Sequence, residues 1–238
     1  MRLNAGRGTM SQTHRIRGPF WGVGLAVTGA VMSLSCGGSS TGPGGSLKVF
    51  DAVADFSSTT NADSSVWSYR YQIGLTRGGH YALLPAYGQD VIETWAPTDP
   101  DAWRVQSYLP AIGVNRTGAD VTIIGTGLTW PAGTMLAHPG SGQLVILTWT
   151  APSEARATIN FSFTSLHATC GNGIAWFVER NDDSATLASG TIPRGASSGA
   201  HSLSGVRVRA GDRINFVVDP NSDFACDSTE LTVTITTS

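Results

Sequence analysis

From residue 47 onward the sequence predicts an all-β fold, a two-sheet antiparallel β-sandwich, on three observations. Apolar and polar residues alternate in ATINFSF (157–163), SLSGVRVRA (202–210), RINFVV (213–218) and LTVTI (231–235), the period of strands with one face buried. Clusters of turn residues separate these runs, among them HPGSG, CGNG, RNDD, RGASSG, RAGD and DPNSD. Glycine supplies positive φ there, proline a fixed φ, and Asn or Asp a side-chain turn. No stretch past 47 keeps a 3.6-residue period over three turns. Short strands with turns between them give a sandwich.

The chain before residue 47 has another character. Arg2, Arg7, Arg15 and Arg17 make a basic start without an acid, Phe20 to Leu34 is almost wholly apolar or small, and SLSCGG follows. A basic region, a short apolar run and small residues describe an export signal. Fifteen helical residues would span roughly 22 Å, short of a bilayer core of about 30 Å. Residues 1–35 are therefore read as a signal, not a permanent span. Leu34-Ser35-Cys36-Gly37 resembles the lipobox of bacterial lipoproteins, in which the cysteine is lipidated. Leucine usually stands three before that cysteine, where this chain has Ser33. The expectation is a lipid-anchored protein of the cell envelope, with simple secretion as the alternative. More than one acyl chain on a cysteine gives stable anchoring.

Residues 36–46, CGGSSTGPGGS, are read as a flexible polar tether. Residues 47–238 then form one domain. Without the four arginines of residues 1–35, Lys+Arg falls from 15 to 11 against 17 Asp+Glu, a charge of −6. That balance argues against a nucleic-acid partner. The chain has three cysteines. Lipidation of Cys36 leaves Cys170 and Cys226, and in an oxidising compartment a disulfide is their expected use. They follow TSLHAT and DPNSDFA, the loops after two predicted strands. If those strands run the same way, the bridge ties two loops at one end of the sandwich.

Within the domain, Trp67, Tyr69 and Tyr71 alternate, so they share one strand face. That face is either a binding platform or core packing, and Trp67 is expected in the core, as is Trp149 in QLVILTW (143–149), a run dense enough for a strand buried on both faces or in a sandwich core. In GIAWFVER, Trp176 and Phe177 point to opposite sides of their strand. Residues 76–118 are less regular. WAPTDPDAW (95–103) reads as a loop carrying Trp95 and Trp103, and Trp130 also stands before a proline. Sugars lay their apolar ring faces on exposed aromatics, so Trp95, Trp103 and Trp130 are the candidate glycan-binding residues.

DPNSDFACDSTE (219–230) places Asp219, Asn221, Asp223, Asp227 and Glu230 at steps 1, 3, 5, 9 and 12, the ligand steps of a calcium loop. The backbone carbonyl of Ala225 falls at step 7. An EF-hand has glycine at step 6 and helical flanks, whereas this chain has Phe224 between predicted strands. The stretch is read first as a disulfide-pinned loop and second as a structural calcium site. No other cofactor is expected.

FDAVADFSS…SSVWSYRY (50–71), LAHPGSGQLVILTWTAP (136–152), VRVRAGDRINFVV (206–218) and CDSTELTVTI (226–235) occur in that order. Together they resemble a β-sandwich domain common in secreted and surface proteins of environmental bacteria. Its members carry an NPNGVWSYGY-like opening, an LHPG…VRWTAP centre and an AGD.I.F.V…D.T.L…I close. The resemblance covers about residues 49–236. The chain lacks the Pro-Asn-Gly of the opening, and its two domain cysteines are not family features. The resemblance implies a jelly-roll-like sandwich similar to carbohydrate-binding modules.

No catalytic pattern accompanies it. His80, His138, His167 and His201 are scattered, and the chain has no G-x-S-x-G, H-E-x-x-H or phosphate-binding glycine loop. Asp99/Asp101 and Asp182/Asp183 read as solvated turn acids. The leading expectation is a non-catalytic, surface-anchored module that binds an extracellular polysaccharide. The rival is a structural or protein-interaction module of the envelope whose aromatics are all buried. A hydrolase with an unrecognised site is the third.

Overall fold

The computed structural model describes residues 46–89, 92–97, 109–123, 127–182 and 185–238. Residues 1–45, with the expected export signal, Cys36 and nearly all of the expected tether, and Asp99, Asp101, Trp103 and Asp183 lie outside the described residues. The regular elements are strands: β1 Lys48–Asp51, β2 Trp67–Ile73, β3 Ala82–Leu83, β4 Ala86–Gln89, β5 Glu93–Ala96, β6 Ala111–Val114, β7 Val121–Ile123, β8 Leu128–Trp130, β9 Met135–His138, β10 Gln143–Thr150, β11 Ala155–Ser165, β12 Ile174–Arg180, β13 Thr186–Ile192, β14 His201–Val208, β15 Arg213–Asp219 and β16 Thr229–Thr237.

Two antiparallel sheets hold most of them. One runs β14-β11-β16-β9-β6-β5-β4, with β1 also paired to β16, and the other runs β13-β12-β15-β10-β2-β3. β7 and β8 form a separate ribbon. The predicted all-β sandwich is the fold observed. Its core follows from the period of two. Ala157, Ile159, Phe161 and Phe163 of β11, with Leu231, Val233 and Ile235 of β16, face inward from the first sheet. Val145, Leu147 and Trp149 of β10, Ile214, Phe216 and Val218 of β15, and Trp176 of β12 meet them from the second. Each Val, Leu, Ile or Phe among them contributes roughly 1.5–3 kcal/mol by leaving water, so a one-residue register slip is strongly disfavoured.

The density of QLVILTW has a structural cause. Residues 74–81 fold back over the outer face of the second sheet. There Leu144 and Ile146 are buried with Tyr81 and Val217, against Phe177. β10 is covered on both faces, as predicted. Phe177 and Trp176 do point apart: Trp176 joins the core and Phe177 lies under the guanidinium of Arg77, 3.6 Å from its ring centre.

The register also defines two ends. Lys48 pairs with Thr237, Thr237 with Ala157, and Ala155 with Val208, so the first strand starts where β11 begins and β14 and β16 finish. At the opposite end β11 and β15 finish. A Cys170–Cys226 disulfide, with Cα atoms 5.6 Å apart, ties the loops that follow them. Residues Pro43–Ser238 form one compact unit. Both sheets, the disulfide and the core lie inside it, so this unit holds a complete hydrophobic core of its own.

Candidate functional site

The disulfide-pinned loops at the far end carry the unusual chemistry. Loop 220–228 is built by side-chain turns. Asp219 Oδ1 accepts the Asn221 N–H at 2.8 Å, and Asp223 Oδ1 accepts the Ala225 N–H at 3.1 Å. Its backbone is left-handed at Asn221, Ser222 and Cys226, an uncommon conformation for residues with side chains. Asn172, across the disulfide, donates to the Asn221 carbonyl at 2.7 Å. Gly171 has φ +81°, and a Cβ there would stand 2.5 Å from the Ala225 carbonyl oxygen. Only glycine therefore lets the two loops close to this distance.

Beneath them sits Asp227. It is 1 % exposed, and neither carboxylate oxygen has a hydrogen-bond partner. Burial, with the charges of Asp223 and Asp219, pushes its carboxyl up to about 8. A buried carboxylate without partners is costly, so this group requires a proton or a cation. The predicted calcium set is only partly assembled. Asp219, Asp223 and Asp227 interact electrostatically. Glu230 belongs to β16, paired with Thr164 and Leu136, and burial alone raises its carboxyl. Its place in the sheet ladder takes it out of the loop. Among the described residues no three His, Cys, Asp or Glu side chains converge as a metal cluster. His167 is buried and His138 half-buried at the same end. Burial lowers both, His138 to about 4, and its Nδ1 lies 2.7 Å from the Pro139 carbonyl oxygen.

The tryptophan candidates require a correction. Trp95 is 6 % and Trp130 1 % exposed, and neither offers a surface platform. Trp95 is in strand, because Glu93–Ala96 pairs with both β4 and β6. Its ring stacks on Tyr69 between the sheets, and Nε1 donates to the Ser57 carbonyl at 2.8 Å. Trp130 packs with Ile92, Leu128 and Leu136. Gly113 makes room for its indole, since a Cβ there would meet Trp130 Cη2 at 2.9 Å. Trp67, Trp149 and Trp176 are core, as expected for the first two from the weight of large aromatics in cores. The exposed large apolar side chains among the described residues are aliphatic: Leu47, Val49, Ile73 and Leu75.

One polar constellation was missed by sequence reasoning. Arg70 is 1 % exposed beneath the covering segment. It donates to Ser68 Oγ, to the Tyr81 carbonyl and to Asp63 at 2.7–2.9 Å. Asp63, His80, Asp182 and Arg213 continue this network at the surface, with His80 3.6 Å from Asp63 and 3.9 Å from Asp182. Two acids and a histidine meet here, but in the open. The hydrogen bond from Arg70 lowers Asp63, the wrong direction for a proton donor. Glu179, fully buried, accepts from Tyr81 Oη at 2.7 Å and pairs with Arg77. The outward phase of Arg70 was readable from the alternation, but the segment that covers it was not. Arg77→Met should destabilise by about 2–3 kcal/mol, because it leaves the Glu179 carboxylate buried with a single donor. Urea unfolding checks this, and adding Glu179→Gln should recover part of the loss.

No family model matches this chain, and no curated protein matches it. Solved structures share its β architecture at low similarity. The chain covers 81 % of itself and 98 % of the K1 cleaved adhesin domain of Lys-gingipain from Porphyromonas gingivalis W83, at 11 % identity and a TM-score of 0.36. Against an arabinose-bound α-L-arabinofuranosidase the values are 73 % and 27 %, 10 % identity and 0.35. Against the C-terminal CBM6 of a marine laminarinase from Zobellia galactanivorans they are 41 % and 81 %, 14 % identity and 0.25. The chain thus spans about a quarter of the length of the arabinofuranosidase. At these similarities no activity or ligand passes from those proteins to this one.

Proposed function

We propose that this protein is a non-catalytic binding module, tethered to the bacterial cell envelope through a lipidated Cys36, whose far-end loops take an extracellular glycan. The observation that carries the reading is the opposition of the two ends. The tether joins at one, and a rigid, disulfide-tied pair of polar loops stands at the other. A calcium ion belongs to this proposal. It would supply the charge that the buried Asp227 carboxylate lacks, although the three loop acids do not converge as a ready-made ligand cluster. Its role would be to fix the loops that present Asn172, Asn221 and Asp223 to sugar hydroxyls.

The burial of Trp95 and Trp130 favours the second reading, an envelope module that binds a protein and uses no aromatic sugar platform. Affinity electrophoresis of residues 43–238 through gels containing polysaccharides separates the two. Retardation in calcium that chelator abolishes supports a glycan taken at cation-ordered loops. Free migration in every gel sinks the glycan reading and leaves the protein partner.

A further inference from the structure

A second charged feature stands at the end where the tether joins. A depression of about 630 Å³ is lined by Arg156, Arg180, Arg207 and Arg209, with Glu154 and Ser238. Arg156 of β11 and Arg207 of β14 are direct cross-strand partners, a like-charge pairing that is unfavourable without an anion between or above it. Arg180 is neutralised by Asp212 at 2.6 Å. Arg156, Arg207 and Arg209 form no ion pair among the described residues. Four of the 11 basic residues of a domain with 17 acids thus line one depression. Sequence inspection gave no sign of it, because strand pairing and sheet ends bring the four together.

We propose that this arginine-lined end is a membrane-docking surface that seats anionic phospholipid headgroups. The proposal rests on the reading of Cys36 as the lipid anchor, and it adds an orientation to it. Ser46, the first described residue, lies ten steps along the chain from Cys36, a reach of at most about 36 Å. A sandwich so tethered presents its tether end to the bilayer. Lys48 begins the chain's first strand there, flanked by Leu47 and Val49, two of the most exposed apolar side chains of the domain. Cations beside exposed aliphatic side chains suit the headgroup region, with charge held at the phosphates and aliphatic groups at the acyl boundary. Docking this end turns the disulfide-tied loops outward. The surplus of acids elsewhere keeps the remaining surface off an anionic membrane.

The test uses residues 43–238, which lack Cys36, so that binding reports the surface and not the anchor. Co-sedimentation is measured with vesicles of equal phosphatidylglycerol and phosphatidylcholine, and with phosphatidylcholine alone. The expected result is binding to the anionic vesicles alone, weakened by salt. It should also fall about 30-fold in an R156Q/R207Q variant, since each arginine near such a surface is worth about fivefold in partition. A far-ultraviolet spectrum and melting temperature equal to the parent's show that the variant is folded. Equal binding to neutral vesicles, or an unaltered double variant, overturns the proposal. So does binding to an anionic polysaccharide such as polygalacturonate with none to vesicles. Mass spectrometry of Cys36 in the exported protein tests the anchor separately. A lipidated Cys36 with no vesicle binding by residues 43–238 overturns the docking surface and leaves the anchor standing.

Discussion

Cys170→Ser should melt about 10 °C below the parent protein under oxidising conditions. The bridge spans 56 residues of sequence. Chain entropy alone assigns a crosslink of that span about 4 kcal/mol, and a domain of this size loses about 2–4 °C per kcal/mol. The effect has a local component as well. Asn172 and Gly171 meet the 220–228 loop across the bridge, so its loss also releases the loops over Asp227. Differential scanning calorimetry with and without reductant checks the expectation. Reductant should bring the parent down to the variant and leave the variant unchanged. A variant that melts with the parent would mean that the loops are held by packing alone.

The second large effect is a dependence on pH set chiefly by Asp227 and His138, with His167, also lowered by burial, acting in the same sense as His138. Asp227 is raised by burial from the ordinary carboxylate range to about 8. Between the two values the folded state keeps a proton that the unfolded chain has lost, so stability falls as pH rises. His138 works in the opposite sense. Lowered by burial to about 4, it stays neutral in the fold while the unfolded imidazole is charged, which lowers stability below about 6.5. From pH 4 to 6.5 the two slopes oppose each other. From 6.5 to 8 Asp227 acts alone, and in chelator stability should drop by roughly 2 kcal/mol. Asp227→Asn should remove that drop, because the amide carries no charge at either pH. Calcium should remove it too if the ion binds the carboxylate. Urea midpoints at pH 6.5, 7.25 and 8 decide the matter, and a flat parent series would show that Asp227 has a partner.

How much was legible varied with the range of the interaction. The strands β11, β14, β15 and β16 were readable because each has one wet and one dry face, and that contrast is written into alternate residues. β10 gave itself away by being apolar on both faces. β5 did not. Its four residues lie next to two prolines, and only pairing with β4 and β6 makes them strand, which is why Trp95 was read as a loop residue. The cysteine pair needed only a count and a compartment. In the calcium pattern, spacing along the chain could not show Asp227 buried without a partner or Glu230 leaving for a sheet ladder.

By itself, then, the sequence determined the fold class, the basic and apolar start, the disulfide partners and most of the core, because period, composition and count are properties of neighbours in the chain. Only the tertiary structure decided that Trp95 and Trp130 are covered and that Arg70 is buried. It also decided that Asp227 lacks a partner and that four arginines meet at the tether end. Each depends on what another strand or loop, tens of residues away, lays over a side chain or places beside it. Burial and electrostatic pairing act through space, and a linear pattern carries no record of which distant segment supplies the cover.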